Sequence, residues 1–113
     1  KMKNTLRGIS KHKFANILHN IGDVDITHNI NFKLFQNYIK NLGGLNNKLT
    51  SQKNFLVQMG IKHRAEIISK NLIFSKKAEI YYRMKKLIDD NQMGKLFKVM
   101  LIKNKKNKFR LGF

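Results

Sequence analysis

The hydrophobic period changes abruptly in the last third of this chain, and that change limits the folds open to it. Ile80, Met84, Leu87 and Ile88 recur at the spacing of one helix face, and Asp89-Asp90-Asn91 interrupts them. The apolar run that follows, between Lys95 and Lys103 with Phe97 and Val99, is only strand-long. Ser75 stands where an N-cap would. The pattern predicts a helix, then a buried strand, then a solvated basic tail over 104–113. A helix stripe and a strand face each need a partner layer, so the chain belongs to a mixed class.

The same alternation runs upstream. A weak strand is predicted over Asn4–Ile9, and Phe14, Ile17, Leu18 and Ile21 then recur at helical spacing up to Gly22. Asp23 to Asn31 is polar and turn-like. From Phe32, the positions Leu34, Phe35, Tyr38, Ile39 and Leu42 mark one helix face, and Gly43-Gly44 supplies the left-handed backbone that ends helices. Leu45–Leu49 reads as a short strand. Ser51 can cap a helix carrying Phe55, Leu56 and Met59, which Gly60 stops before Ile61, Ala65 and Ile68 open another. With no proline and no repeat, the 113 residues read as one continuous α/β or α+β unit, 1–113, mostly helical with a few strands. A chain of this size buries only about two-thirds of its unfolded surface, so it is one core or part of one.

The balance of 24 Lys plus Arg against 6 Asp plus Glu, formally +18, would ordinarily point to nucleic acid or an anionic membrane. Lys, Asn, Ile and Phe are all abundant while Pro, Trp and Cys are absent, a bias that A/T-rich coding produces by itself. The charge is also spread along the whole sequence. Basic residues do interleave with aromatics at Lys33-Leu34-Phe35 and Tyr81-Tyr82-Arg83, as stacking plus phosphate contact requires. Phe35 and Tyr81, however, fall on or beside apolar helix faces and read first as core; Tyr82 falls on the opposite face, beside Glu79 and Lys86. Nucleic acid is therefore the weaker expectation. The longest apolar run, Leu96–Ile102, is interrupted by Lys98 and is far short of the ~20 residues a spanning helix needs, so no membrane is expected. Absence of cysteine excludes disulfides, thiolate metal sites and a cysteine nucleophile, and fits a reducing, cytoplasmic setting. No signal-peptide pattern opens the chain.

Chemistry is sparser than architecture. Loops that cradle nucleotides or S-adenosylmethionine place several glycines between a strand and a helix, and none exists here; Gly43-Gly44 follows a helix. No serine sits in a Gly-x-Ser-x-Gly elbow. Asp23, Asp25 and His28 bring three donors within six residues, but polar turns use such residues to bond local backbone, and no fourth ligand stands nearby. His12, His19 and His63 are isolated. No metal is expected.

Recognition of motifs adds to this reading. The stretch Thr50-Ser51-Gln52-Lys53-Asn54-Phe55-Leu56-Val57-Gln58-Met59-Gly60-Ile61, continuing through Arg64-Ala65-Glu66, resembles the Thr-Gln-x-x-Phe-Leu-x-x-Leu-Gly-Ile…Arg-Ala segment of the MidA family of class I S-adenosylmethionine-dependent methyltransferases. This family includes the mitochondrial complex I assembly methyltransferase. Gln92-Met93-Gly94-Lys95-Leu96-Phe97-Lys98-Val99-Met100 is similar to its near-terminal signature, and Gly112-Phe113 to its usual close. Upstream, Thr5-Leu6-Arg7 and His12-Lys13-Phe14 resemble its Thr-Leu-Gln and Gly-His-Lys-Tyr elements. Asp25-Ile26-Thr27 and Phe32 match the ends of its Asp-Leu-Thr-Ala-His-Val-Asp-Phe motif. The resemblance runs over nearly the whole chain. Two departures stand out. Asn29 and Asn31 replace the motif's His and Asp, so any proton handling there would be lost, and Ser51 separates Thr50 from Gln52 where the family has a contiguous pair.

The resemblance implies the C-terminal portion of a Rossmann-like methyltransferase fold. S-adenosylmethionine would be held by an N-terminal half, in the same or a separate chain, with no cofactor expected on these residues alone. It implies an acceptor cleft shaped in part by Asp25, Thr27, Asn29 and Asn31, and a protein side chain, an arginine, as acceptor. Methyl transfer needs both reactants aligned, so the fragment alone is expected to be inactive. A basic nucleic-acid-binding module and a non-functional remnant of a split gene remain as alternatives.

Overall fold

The computed structural model describes residues 5–11, 13–18 and 21–113. Helix outweighs strand, 43% to 25%. The chain divides into two compact units, Lys1–Asn37 and Tyr38–Phe113.

The first unit is built on a three-stranded antiparallel sheet in the order β2-β1-β3, from β1 Leu6–Ser10, β2 Lys13–Ala15 and β3 Asp25–His28. The strand expected over Asn4–Ile9 is present as β1; Asn4 lies outside the described residues. Gly8 sits at the crowded centre of β1. A Cβ there would stand 2.5 Å from the Ala15 carbonyl oxygen and 2.8 Å from Val24 Cγ1, so only glycine fits. Two expectations fail in this unit. Of the helix expected over Phe14 to Ile21, His19 and Asn20 lie outside the described residues, and 14–18 is not helical: Phe14 belongs to β2, and the Asn16 side-chain oxygen accepts from the Leu18 N–H at 2.9 Å, a local bond that turns the chain. Asp23 to Asn31 is not merely a turn, because Asp25–His28 pairs with β1 from Leu6↔His28 to Ile9↔Asp25.

Helix α1, Phe32–Leu42, starts at Asn31, whose side-chain oxygen accepts from the Leu34 N–H at 3.1 Å. It ends as expected at Gly43 and Gly44, both at φ 67°. Of its apolar face only Ile39 is buried; Phe35, expected in a core, is 55% exposed, and Leu34, Tyr38 and Leu42 are exposed with it.

The second unit joins an antiparallel ribbon to a helical cluster. Strands β4, Leu45–Ser51, and β5, Lys98–Asn104, pair from Leu45↔Asn104 to Ser51↔Lys98. Between them run α2 Gln52–Gln58, α3 Ile61–Ser69, α4 Phe74–Ile88 and α5 Met93–Leu96. The Ser51 hydroxyl oxygen accepts from the Asn54 N–H at 3.2 Å, the expected cap, and Gly60 turns the chain at φ 82° into α3. Ser75 is not a cap; α4 begins one residue earlier, at Phe74 after Ile73. Ile80, Met84 and Leu87 face Ala65 and Ile68 across a groove of about 620 Å³. Ala65 is buried, as is Ser69 on the same helix.

The predicted strand Lys95–Lys103 is a short helix followed by a strand. Asp89 causes this: its carboxylate oxygen accepts from the Asn91 N–H at 2.8 Å and its carbonyl from the Gly94 N–H at 2.9 Å, so the chain turns again before extending. Nor is β5 buried throughout, since Ile102 is 47% exposed. Of the basic segment over 104–113, the end is packed: the Lys103 ammonium donates to the Phe109 carbonyl at 2.8 Å, and the Phe113 ring centroid lies 5.5 Å from that of Phe55.

Candidate functional site

Three of the upstream motif elements meet on the first unit's sheet. Thr27 lies opposite Arg7 and Asp25 opposite Ile9, so these four side chains share one face of the β1–β3 pair. Phe14, opposite Ile9 on the other side of β1, shares that face, and the Arg7 guanidinium lies 5.5 Å from its ring centroid. The Asn29 N–H donates to the Thr5 carbonyl at 3.2 Å, carrying the pairing one residue past β3. Asn31 then caps α1. The four cleft candidates thus lie along one strand and its exit into a helix. Asp25, Thr27, Asn29 and Asn31 are all exposed and offer a carboxylate, a hydroxyl and two amides.

His28 and Asp25 are three positions apart on β3 and point to opposite faces, which separates two of the three donors considered for a metal. The His28 ring Nδ1 instead lies 2.8 Å from the Asn29 carbonyl. Among the described residues no group of three His, Asp or Glu could hold a metal ion. His63 lies 3.7 Å from Glu66 on α3, and His12 and His19 fall outside the described residues.

The two downstream motif segments converge in the second unit, through contacts that motif spacing does not disclose. The Gln52 N–H donates to the Phe97 carbonyl at 3.0 Å, and its side-chain amide to the Leu87 carbonyl at 2.9 Å. The Lys53 and Lys95 ammonium groups lie 3.0 and 3.3 Å from one carboxylate oxygen of Asp90. The hydrogen bond from Lys53, chiefly, with Lys95 behind it, holds Asp90 below the ordinary carboxylate range against the opposing effect of desolvation. Gly94 allows this joint to close, because a Cβ there would stand 2.5 Å from the Ile88 carbonyl oxygen. Tyr82 lies outside the joint, 60% exposed, with the Lys86 ammonium 4.8 Å from its ring centroid.

Three of the described glycines have a local structural reason. Gly43 and Gly44 are required by their positive φ, and a Cβ at either would meet nothing within 4 Å. Gly8 is required by its neighbours in the sheet. No helix among the described residues is long and apolar enough to cross a membrane.

Against known proteins, residues 1–50 match the model of a family described as "Putative S-adenosyl-L-methionine-dependent methyltransferase". A structure from Burkholderia thailandensis, a superfamily member and "likely methyl transferase" bound to S-adenosyl-homocysteine, superposes with a TM-score of 0.73 at 23% identity, over 97% of this chain and 28% of its own. An uncharacterized protein of the same superfamily and organism gives 0.71 at 24% identity, over 97% of this chain and 29% of its own. The chain thus spans less than a third of the length of either. Its fold is that of part of a protein crystallised with S-adenosyl-homocysteine, and its first 50 residues are similar to a family of S-adenosylmethionine-dependent methyltransferases.

Proposed function

We propose that the chain is the C-terminal part of a MidA-type methyltransferase that transfers a methyl group from S-adenosylmethionine to an arginine of a protein acceptor in the cytoplasm. The observation that carries this reading is the shared fold with an S-adenosyl-homocysteine-bound protein across 97% of the chain. The cofactor would be held by an N-terminal half, because the described residues supply no glycine loop for it.

In this reading the chain's share of the work is acceptor binding. Asp25 can pair with a guanidinium, Thr27 and Asn29 can hydrogen-bond beside it, and Asn31 fixes the start of α1 so that the strand-to-helix corner holds its shape. Positioning supplies much of the rate in a bimolecular transfer, so the fragment alone should be inactive.

Isothermal titration of S-adenosylmethionine into the purified chain, repeated with a family N-terminal half added, tests the proposal. Binding and peptide-arginine methylation only with both halves present is the expected result. Binding by this chain alone would overturn the assignment of the cofactor to the other half. Absence of binding in both arms would favour a basic binding module or a remnant.

A further inference from the structure

Part of the charge left unabsorbed by this function is gathered into a concave site on the second unit. On the ribbon, Asn46 lies opposite Lys103 and Lys48 opposite Leu101, which puts Lys48 and Lys103 on one face. The returning end of the chain closes that face into a pocket of about 310 Å³, adding Arg110 and Phe113. No Asp or Glu side chain among the described residues lines it, and no ion pair among those residues involves Lys48, Lys103 or Arg110. Three like charges lining one pocket without a side-chain counter-charge are mutually repulsive, and a bound anion relieves that.

The pocket is specified by the fold. Lys103 uses one ammonium hydrogen on the Phe109 carbonyl, which anchors the returning segment and leaves two donors. Gly112 is buried at φ 80°, where a Cβ would stand 2.6 Å from the Phe55 ring. That glycine lets Phe113 reach Phe55 and form a pocket wall. Ammonium and guanidinium donors beside an apolar and aromatic wall suit a phosphate attached to a flat ring.

We propose that this pocket binds the phosphate of a nucleotide, with Lys48, Lys103 and Arg110 as its donors and Phe113 against the base. It is independent of the methyltransferase reading, since S-adenosylmethionine carries no phosphate. Calorimetric titration of the chain with inorganic phosphate, adenosine, AMP and a short single-stranded RNA, at about 0.15 M salt where long-range attraction is screened, tests it. AMP should bind at one site and more tightly than phosphate or adenosine. Lys48→Gln with Arg110→Gln should weaken AMP about tenfold or more, the scale of losing two charge-assisted bonds. Lys70→Gln with Lys77→Gln removes the same charge elsewhere and should change it less than twofold. Gly112→Ala keeps every charge, displaces the wall and should also weaken AMP, with circular dichroism confirming that the helices persist. RNA affinity that falls with the Lys48/Arg110 pair alone would identify a nucleic acid as the source of the phosphate; AMP affinity alone, a free nucleotide. Equal losses from both charge pairs, or no saturable binding of either AMP or phosphate, would overturn the proposal.

Discussion

The Gln52 side chain donates to the carbonyl oxygen of Leu87 at 2.9 Å, tying the first residue of α2 to the last turn of α4 across 35 positions. Leu87 is one of the carbonyls that a helix end leaves without an intrahelical partner, so the bond both satisfies that group and fixes where α4 stops. Replacing Gln52 with Ala should cost about 1 kcal/mol, the usual net worth of one such bond. Urea unfolding of the two proteins reads the difference. An unchanged midpoint would mean that water serves Leu87 equally well.

Gly94 tests the same joint from the other side. Gly94→Ala would push a methyl group against the Ile88 and Asp89 carbonyl oxygens, 2.5 and 2.7 Å away, and these are main-chain atoms that cannot swing aside. A loss of about 1–3 kcal/mol is expected, as for other overpacked sites. Gly60→Ala is the control: its Cβ meets nothing within 4 Å, so only the strain of φ 82° remains, about 1–2 kcal/mol. Thermal unfolding of both variants should rank Gly94→Ala as the more damaging. The reverse order would show that α5 can move away from α4.

Local signals were the legible ones. The Ser51 cap, the Gly43-Gly44 stop and the stripe on α4 each depend on residues within a turn or two of one another, and each stands where the sequence places it. Strand β3 was illegible because all four of its residues are exposed, so no alternation marks a buried face. Helix α5, only four residues long, has no periodicity to read. The motif resemblance picked out the segments holding Lys53 and Lys95 but not Asp90 between them, nor the contact, which spans 37 positions between Lys53 and Asp90. The shared face of Asp25, Thr27 and Arg7 likewise depends on a strand register that sequence spacing does not contain.

Asn31 shows how one departure from a motif can be structurally mild. Its side-chain oxygen accepts from the Leu34 N–H at 3.1 Å, and an aspartate carboxylate can accept the same bond. Asn31→Asp should therefore change stability by no more than a few tenths of a kcal/mol, whereas Asn31→Ala should cost about 1 kcal/mol. In the two-half assembly proposed above, Asn29→His together with Asn31→Asp should raise methylation if these positions handle a proton. Stability read by denaturation and activity read by methyl incorporation separate the two roles. A stability gain from Asn31→Asp well above those tenths would mean that the position wants a charge for a reason other than the cap.

Asp90 gives the chain a defined acid sensitivity. Because Lys53 and Lys95 hold its carboxyl below the ordinary aspartate value of about 3.9, the native state keeps Asp90 ionised at pH values where the unfolded chain has begun to protonate it. Its contribution is fully present above the unfolded value and is lost as pH falls through the folded one. Asp90→Asn removes the charge but keeps the shape, so its unfolding midpoint should lie below that of the parent near neutral pH. The two should converge as the pH drops below the ordinary aspartate range. Raising the salt concentration at neutral pH should narrow the same gap, since the Lys53 and Asp90 side chains are 40% and 34% exposed and the pair is open to screening. Urea unfolding of both proteins at steps between pH 7 and pH 2 makes the measurement. A gap that stays constant down to the lowest pH would show that the Asn91 and Gly94 turn, rather than the carboxylate between two lysines, holds α4 to α5.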